Sequence, residues 1–141
     1  RKHSQNYAQS GGEFVFNLAT YDLRTEMNIT GADYPDEVSE PELAKLAMAP
    51  SRFVKPPRVA RSPIALECIY CQTVPLTSSS GKKQKYEIVI GEVVNVHIDD
   101  AVISNGMIDM SKLRAIARLG YRGDYTVVDN IFEMPRVKYP E

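Results

Sequence analysis

The sequence predicts a mainly β domain: a small antiparallel barrel, closed or half-closed, carrying short helical insertions. Three observations lead there. Lys85 to Asp100, KYEIVIGEVVNVHIDD, puts Tyr86, Ile88, Ile90, Val94, Val96 and Ile98 on alternate positions, the two-residue period of a strand. Val89 and Val93 make the other face partly apolar, so both faces are expected to be covered. Such a run is far longer than the usual flat strand of about five or six residues, so it is expected to bend, and Gly91 is the natural place for a bulge. Ile64 to Thr77 is a second strand, with Leu66, Cys68, Tyr70 and Val74 on one face. Ser78-Ser79-Ser80-Gly81-Lys82-Lys83 is a flexible hairpin loop, so the two long strands are expected to pair antiparallel. Finally, consecutive strands are linked by hairpins and short helices, not by the long crossovers of a parallel sheet.

From the start of the chain, Ser4 is the expected cap of a short helix running to about Ser10 and stopped by Gly11-Gly12. Arg1 and Lys2 stand ahead of it, against the helix dipole. An anion at the helix start would resolve that conflict, and two solvated cations at a frayed end are the plainer reading. Glu13 to Ala19 reads as a strand with Phe14, Phe16 and Leu18 on one face. A helix over about Asp22 to Asn28 follows, capped by Thr20 or Asp22, with Leu23 and Met27 on its apolar side. Ser39 and Glu42 resemble a capping box with Pro41 in the first turn. Met48 to Pro63 holds four prolines and four cations, Arg52, Lys55, Arg58 and Arg61. It is expected to be an extended, solvated strap. Asp109 or Ser111 is expected to cap a helix through Leu113, Ile116 and Ala117, closed by Gly120. Tyr125 to Met134 is expected to be the last strand, and Pro135 onward a tail.

A net charge of −1 excludes the general basic field that drives nucleic-acid binding. No apolar run approaches a membrane span and no signal-peptide pattern opens the chain, so a cytoplasmic protein is expected. No G-x-G-x-x-G or P-loop is present. Cys68 and Cys71 have C-x-x-C spacing but lie in a strand, where positions three apart face opposite ways. With no second Cys or His pair to complete a zinc site, they read as two buried or half-buried free thiols. His97 and Asp99 share a strand face with no third metal ligand in view, so they read as ordinary polar groups at a strand end.

The order of these segments resembles the flavin reductase-like, FMN-binding split-barrel family. Lys2-His3-Ser4 stands where the family has a basic-Asp-Thr/Ser stretch, followed by a helix and by Gly12-Glu13-Phe14-Val15-Phe16-Asn17. Met27-Asn28-Ile29-Thr30, Pro57-Arg58-Val59, Ser62-Pro63 and Leu66-Glu67-Cys68 come next in the family's order. Ile90-Gly91-Glu92-Val93-Val94, Val96-His97-Ile98-Asp99-Asp100 and Arg118-Leu119-Gly120 with Tyr125 complete the series. The chain departs from the pattern where many members carry Gly-Asp-His ahead of the long strand, which here reads Gln84-Lys85-Tyr86. His3 replaces the family's Asp, and Tyr7 sits where Asn is common.

The resemblance implies one antiparallel split β-barrel domain of Greek-key type over residues 1–141, lacking the family's N-terminal strands. It implies an FMN-dependent oxidoreductase of the NAD(P)H:flavin reductase type, with NAD(P)H as reductant, and a homodimer with FMN at the subunit interface. Arg1, Lys2, His3, Ser4, Asn17 and Arg118 are then the cofactor-binding residues, with the phosphate on Lys2 to Ser4. The departure at Gln84-Lys85-Tyr86 keeps a non-catalytic FMN-binding protein in play, and the missing strands a cofactor-free interaction barrel. Yellow protein bleached by NAD(P)H marks the first reading, yellow without bleaching the second, and colourless protein that rejects FMN the third.

Overall fold

A computed structural model of the chain describes residues 3–139. Helix α1 (His3–Gly11) leads into strand β1 (Glu13–Asn17). A 3-10 turn at Tyr21–Leu23 runs into α2 (Arg24–Thr30), followed by α3 (Glu40–Leu43). Two short strands, β2 (Met48–Ala49) and β3 (Arg58–Val59), bracket most of the proline-rich connector. The long pair is β4 (Ile64–Thr77) and β5 (Lys83–Ile98). After a 3-10 turn at Asp100–Val102 come β6 (Ile103–Ser104), β7 (Met107–Ile108), α4 (Met110–Leu113), β8 (Ile116–Gly120) and β9 (Asp124–Val127).

The main sheet has the order β1-β4-β5 and is antiparallel throughout. Three two-stranded ribbons, β2-β3, β6-β7 and β8-β9, surround it. The mainly β, antiparallel expectation holds, with the helices short and peripheral. Among the described residues, however, the sheet stays open and does not close into a barrel.

The long strands bend as their length requires. One register shift falls between Tyr70 and Gln72, directly opposite Gly91, and a second between Glu67 and Cys68. The extra residue at the first is Cys71, so the bulge lies across from the glycine and not on it. Gly91 answers a different need. A Cβ there would sit 2.5 Å from the Phe14 ring and 3.1 Å from the Ile69 carbonyl oxygen. Gly91→Ala is therefore expected to destabilise the fold by ~1–3 kcal/mol through overpacking. Urea unfolding checks this, and an unchanged midpoint would mean that the Phe14 ring swings aside freely.

The two faces of this sheet differ. On one, Ala65 and Glu67 are fully buried beneath the connector. On the other, Phe16, Val93, Val96 and Ile98 remain largely exposed. The shift between Glu67 and Cys68 leaves Val94 as the extra residue on β5, so Ile88 and Ile90 point to the opposite face and the expected single apolar face of this strand is split in two. With β5 at the end of the sheet order, its outer edge has no strand partner among the described residues. Both features call for cover in a stable soluble protein.

Several local expectations change. Helix α1 already includes His3, so Ser4 lies in its first turn and does not cap it. Ser39 holds the cap position of α3, but its side chain makes no capping hydrogen bond. The helix expected through Ile116 and Ala117 ends at Leu113. Arg114 turns into the left-handed region (φ 46°, ψ 44°), and Ile116–Gly120 becomes a strand. That strand takes β9 as its partner, so the last strand is Asp124–Val127 and not Tyr125 to Met134. The Asn105-Gly106 pair between β6 and β7 has positive φ at both positions (53° and 77°). It is a strong hairpin signal that the reading from sequence passed over.

Candidate functional site

The connector is a docked strap, not a solvated one, and the reason is Glu67. Prolines 50, 56 and 57 keep this segment out of the main sheet, so its N–H groups need other acceptors. The N–H groups of Phe53 and Val54 donate to Glu67 Oε2 (2.6 and 3.1 Å), and that of Arg52 donates to Oε1 (2.8 Å). The next N–H along, Lys55, donates to Glu13 Oε2 at 2.8 Å. Two carboxylates from adjacent strands therefore satisfy four successive backbone donors. Val54 is buried beneath them.

Across the sheet, Asn95 Nδ2 donates to Glu67 Oε1 at 3.1 Å, and His97 Nε2 makes a short contact with the same oxygen. The Glu67 side chain is completely inaccessible to solvent. Burial alone disfavours its charge and is the largest single influence. The Arg52 N–H, the His97 ring, the Phe53 N–H and the Asn95 amide together outweigh it, and hold the carboxyl at about 2. His97 is thus committed to Glu67, and Asp99 accepts from the Ala101 N–H to cap the following 3-10 turn. Among the described residues no cluster of three or more His, Cys, Asp or Glu could hold a metal ion.

The residues expected to bind cofactor are spread over the molecule. Arg1 and Lys2 lie outside the described residues, as does the side chain of His3. Ser4 lines a cleft of about 450 Å³ shared with Tyr7, Asp36, Glu37, Ser39 and Glu40. Three hydroxyls there suit a phosphate and three carboxylates oppose one, although Tyr7, Asp36 and Glu40 also engage groups of their own. Asn17 lines an apolar cleft of about 240 Å³ with Leu23, Met27, Leu46 and Val59. Its Oδ1 accepts from the Val59 N–H at 2.9 Å, which ties β3 to β1. Arg118 stands over the Tyr125 ring at 5.8 Å, on the β8–β9 hairpin. None of these clefts brings Ser4, Asn17 and Arg118 together within one copy of the chain.

Cys68 and Cys71 are both free; Cys68 is buried as expected, but Cys71, the extra residue of the bulge, is exposed. Burial pushes the Cys68 thiol up, away from the reactive thiolate. No helix among the described residues is long and apolar enough to cross a membrane. Glu67 was the residue that reading the sequence missed. Its only local signal was a charged side chain at an inward position of an otherwise apolar strand.

The family model described as flavin reductase like domain matches residues 1–117. An uncharacterised protein of Deinococcus radiodurans is 36% identical over 135 residues, covering 94% of this chain and 56% of that protein. This chain therefore spans little more than half the length of that relative. Among solved structures, nitrilotriacetate monooxygenase component B from Bacillus cereus superposes with a TM-score of 0.85 at 30% identity, over 95% of this chain and 65% of the other. A Shewanella frigidimarina protein assigned as a flavin reductase with a split barrel domain superposes with a TM-score of 0.78. At 23% identity, over 96% of this chain and 66% of the other, it speaks for the fold alone.

Proposed function

Because this chain belongs to the flavin reductase-like family, we propose that it is an FMN-dependent oxidoreductase of the NAD(P)H:flavin reductase type, acting as a cytoplasmic homodimer. The family match across residues 1–117, in the fold of the Bacillus cereus monooxygenase component, carries this reading. The reading takes residues 1–141 as a single domain. The bound flavin would accept hydride and store electrons, and the protein's part is to bind and orient it.

Three features support an interfacial site. The proposed cofactor residues Ser4, Asn17 and Arg118 do not converge within one copy. The cleft beside Asn17 is smaller than the roughly 300 Å³ at which cofactor pockets begin. The bare apolar face of β1 and β5 needs a covering partner. Arg1 and Lys2 would supply the positive charge that the three carboxylates around Ser4 require before a phosphate can bind. With the family's Gly-Asp-His replaced by Gln84-Lys85-Tyr86, a flavin carrier without reductase activity is the second reading.

Size-exclusion chromatography with light scattering and flavin absorbance tests the proposal. Flavin should elute with a particle of twice the chain mass, and its colour should bleach on adding NAD(P)H. A colourless monomer that rejects FMN would overturn the proposal, and a yellow dimer untouched by NADH and NADPH would leave the carrier.

A further inference from the structure

The β8–β9 hairpin stands away from the rest of the chain. It is tied down at its base, where the Ile116 N–H donates to the Ala19 carbonyl oxygen at 3.2 Å and Thr20 bridges Ala115. Beyond that the two strands pack chiefly on each other, and a cleft of about 340 Å³ lies between them and α2. Residues 117–126 are all exposed. Near the tip, Leu119 is the extra residue of a bulge and is 64% exposed. Tyr121 turns the chain with φ 52°, in the left-handed region that strains a bulky residue. Its ring gains nothing in return within this copy, where it is 93% exposed. The hairpin also carries Arg118 and Arg122 against one acid, Asp124. Tyrosine and arginine on a projecting tip are the side chains that anchor interfaces.

We propose that this hairpin is an exchanged arm: the tip of each copy docks in the Ser4 cleft of a second copy and delivers Arg118 to the flavin phosphate there. The two surfaces are complementary in charge and shape. Segment 31–42 holds Asp33, Asp36, Glu37, Glu40 and Glu42 and no cation, and three of these line the Ser4 cleft. Carboxylates are thus in excess around the cleft, as cations are on the arm. Tyr7, Val38 and Pro41 give the cleft apolar wall for the Tyr121 ring, and its 450 Å³ leaves room for a phosphate beside it. In that arrangement Arg122 meets the carboxylates and Arg118 is left for the phosphate dianion, to which a guanidinium presents a fork of donors. Arg118 shares no cleft with Ser4 within one copy, as exchange requires. Exchange about a two-fold axis makes the contact isologous, each copy giving an arm and receiving one. The inference rests on the homodimer and interfacial flavin proposed above, and it adds which element crosses the interface and what it carries.

Mixed dimers test the exchange. Two differently tagged chains, one Ser4→Ala and one Arg118→Ala, are co-expressed, and the mixed dimer is isolated on both tags. Exchange puts both substitutions at one site and leaves the other intact, so FMN should bind half the sites with wild-type affinity. Each parent dimer should bind FMN roughly tenfold or more weakly. A mixed dimer with no site of wild-type affinity would show that Arg118 serves its own copy and overturn the proposal, as would parent dimers that bind like wild type. Docking is read separately, by sedimentation of the full chain with and without FMN. Tyr121→Ser and Arg122→Glu should each raise the dimer dissociation constant by roughly tenfold or more. Both side chains are exposed in one copy, so neither change leaves a buried gap, and circular dichroism confirms that each variant is folded. A dissociation constant unchanged in both variants would overturn the arm and leave the homodimer standing. A monomeric wild type sinks the homodimer and the arm together. A dimer weakened by both variants that rejects FMN supports the docking and sinks the flavin assignment.

Discussion

Replacing Glu67 with glutamine is expected to lower the free energy of unfolding by about 3 kcal/mol, the cost of disturbing a buried, fully hydrogen-bonded carboxylate. The two side chains have nearly the same shape, so no cavity contributes. The loss comes from donors facing donors. Oε1 accepts from the Arg52 N–H, Asn95 and His97, and Oε2 accepts from the N–H groups of Phe53 and Val54. Whichever way the amide turns, its nitrogen confronts at least two of these donors. The strap should then lift first, exposing Val54. Urea unfolding of the wild type and the variant measures the difference, and a gap below about 0.5 kcal/mol would show that the strap is held by other contacts.

The same carboxylate makes stability depend on pH in a defined direction. Its folded value of about 2 lies below the ordinary 4.5. The stabilisation is therefore complete above about pH 4.5 and disappears as pH falls toward 2. The gap between wild type and Glu67→Gln should narrow over that window, because the variant has no proton to take up there.

Lys2→Ala and Ser4→Ala are expected to weaken FMN binding by roughly ten- to a hundredfold, while riboflavin is affected far less. Each would remove one contact to the phosphate dianion proposed to sit there, and charge-assisted contacts contribute ~1.5–3 kcal/mol. Ser4 sits in the first turn of α1, whose N–H groups would add donors to a phosphate bound there. The carboxylates of Asp36, Glu37 and Glu40 share the Ser4 cleft, so binding at this place depends on opposing positive charge. Paired titrations with FMN and riboflavin decide the matter. Equal weakening of both flavins, or of neither, would place the phosphate elsewhere.

What the sequence by itself determined is whatever depends on neighbours along the chain. The two-residue period of Ile64–Thr77 and Lys83–Ile98, joined by a serine-glycine loop, was enough for the long antiparallel pair. The helix start was legible to within two residues, as Asp109 or Ser111, because a cap needs only the next two or three N–H groups, and Asp109 is the one that holds it. The ordered short motifs pointed to the family without any coordinates. Tertiary structure decided the rest because partners far apart in sequence outweighed local preference. Leu113, Ile116 and Ala117 have helical spacing, yet Thr20 bridges Ala115 and the Tyr21 N–H donates to the Arg114 carbonyl. Those contacts with a segment over ninety residues earlier accompany the turn at Arg114 and the strand that follows. Glu67 looked like one more charge, and it became an anchor only when the fold brought Arg52–Val54, Asn95 and His97 around it. A buried carboxylate persists only where distant donors converge, and no local pattern records that convergence.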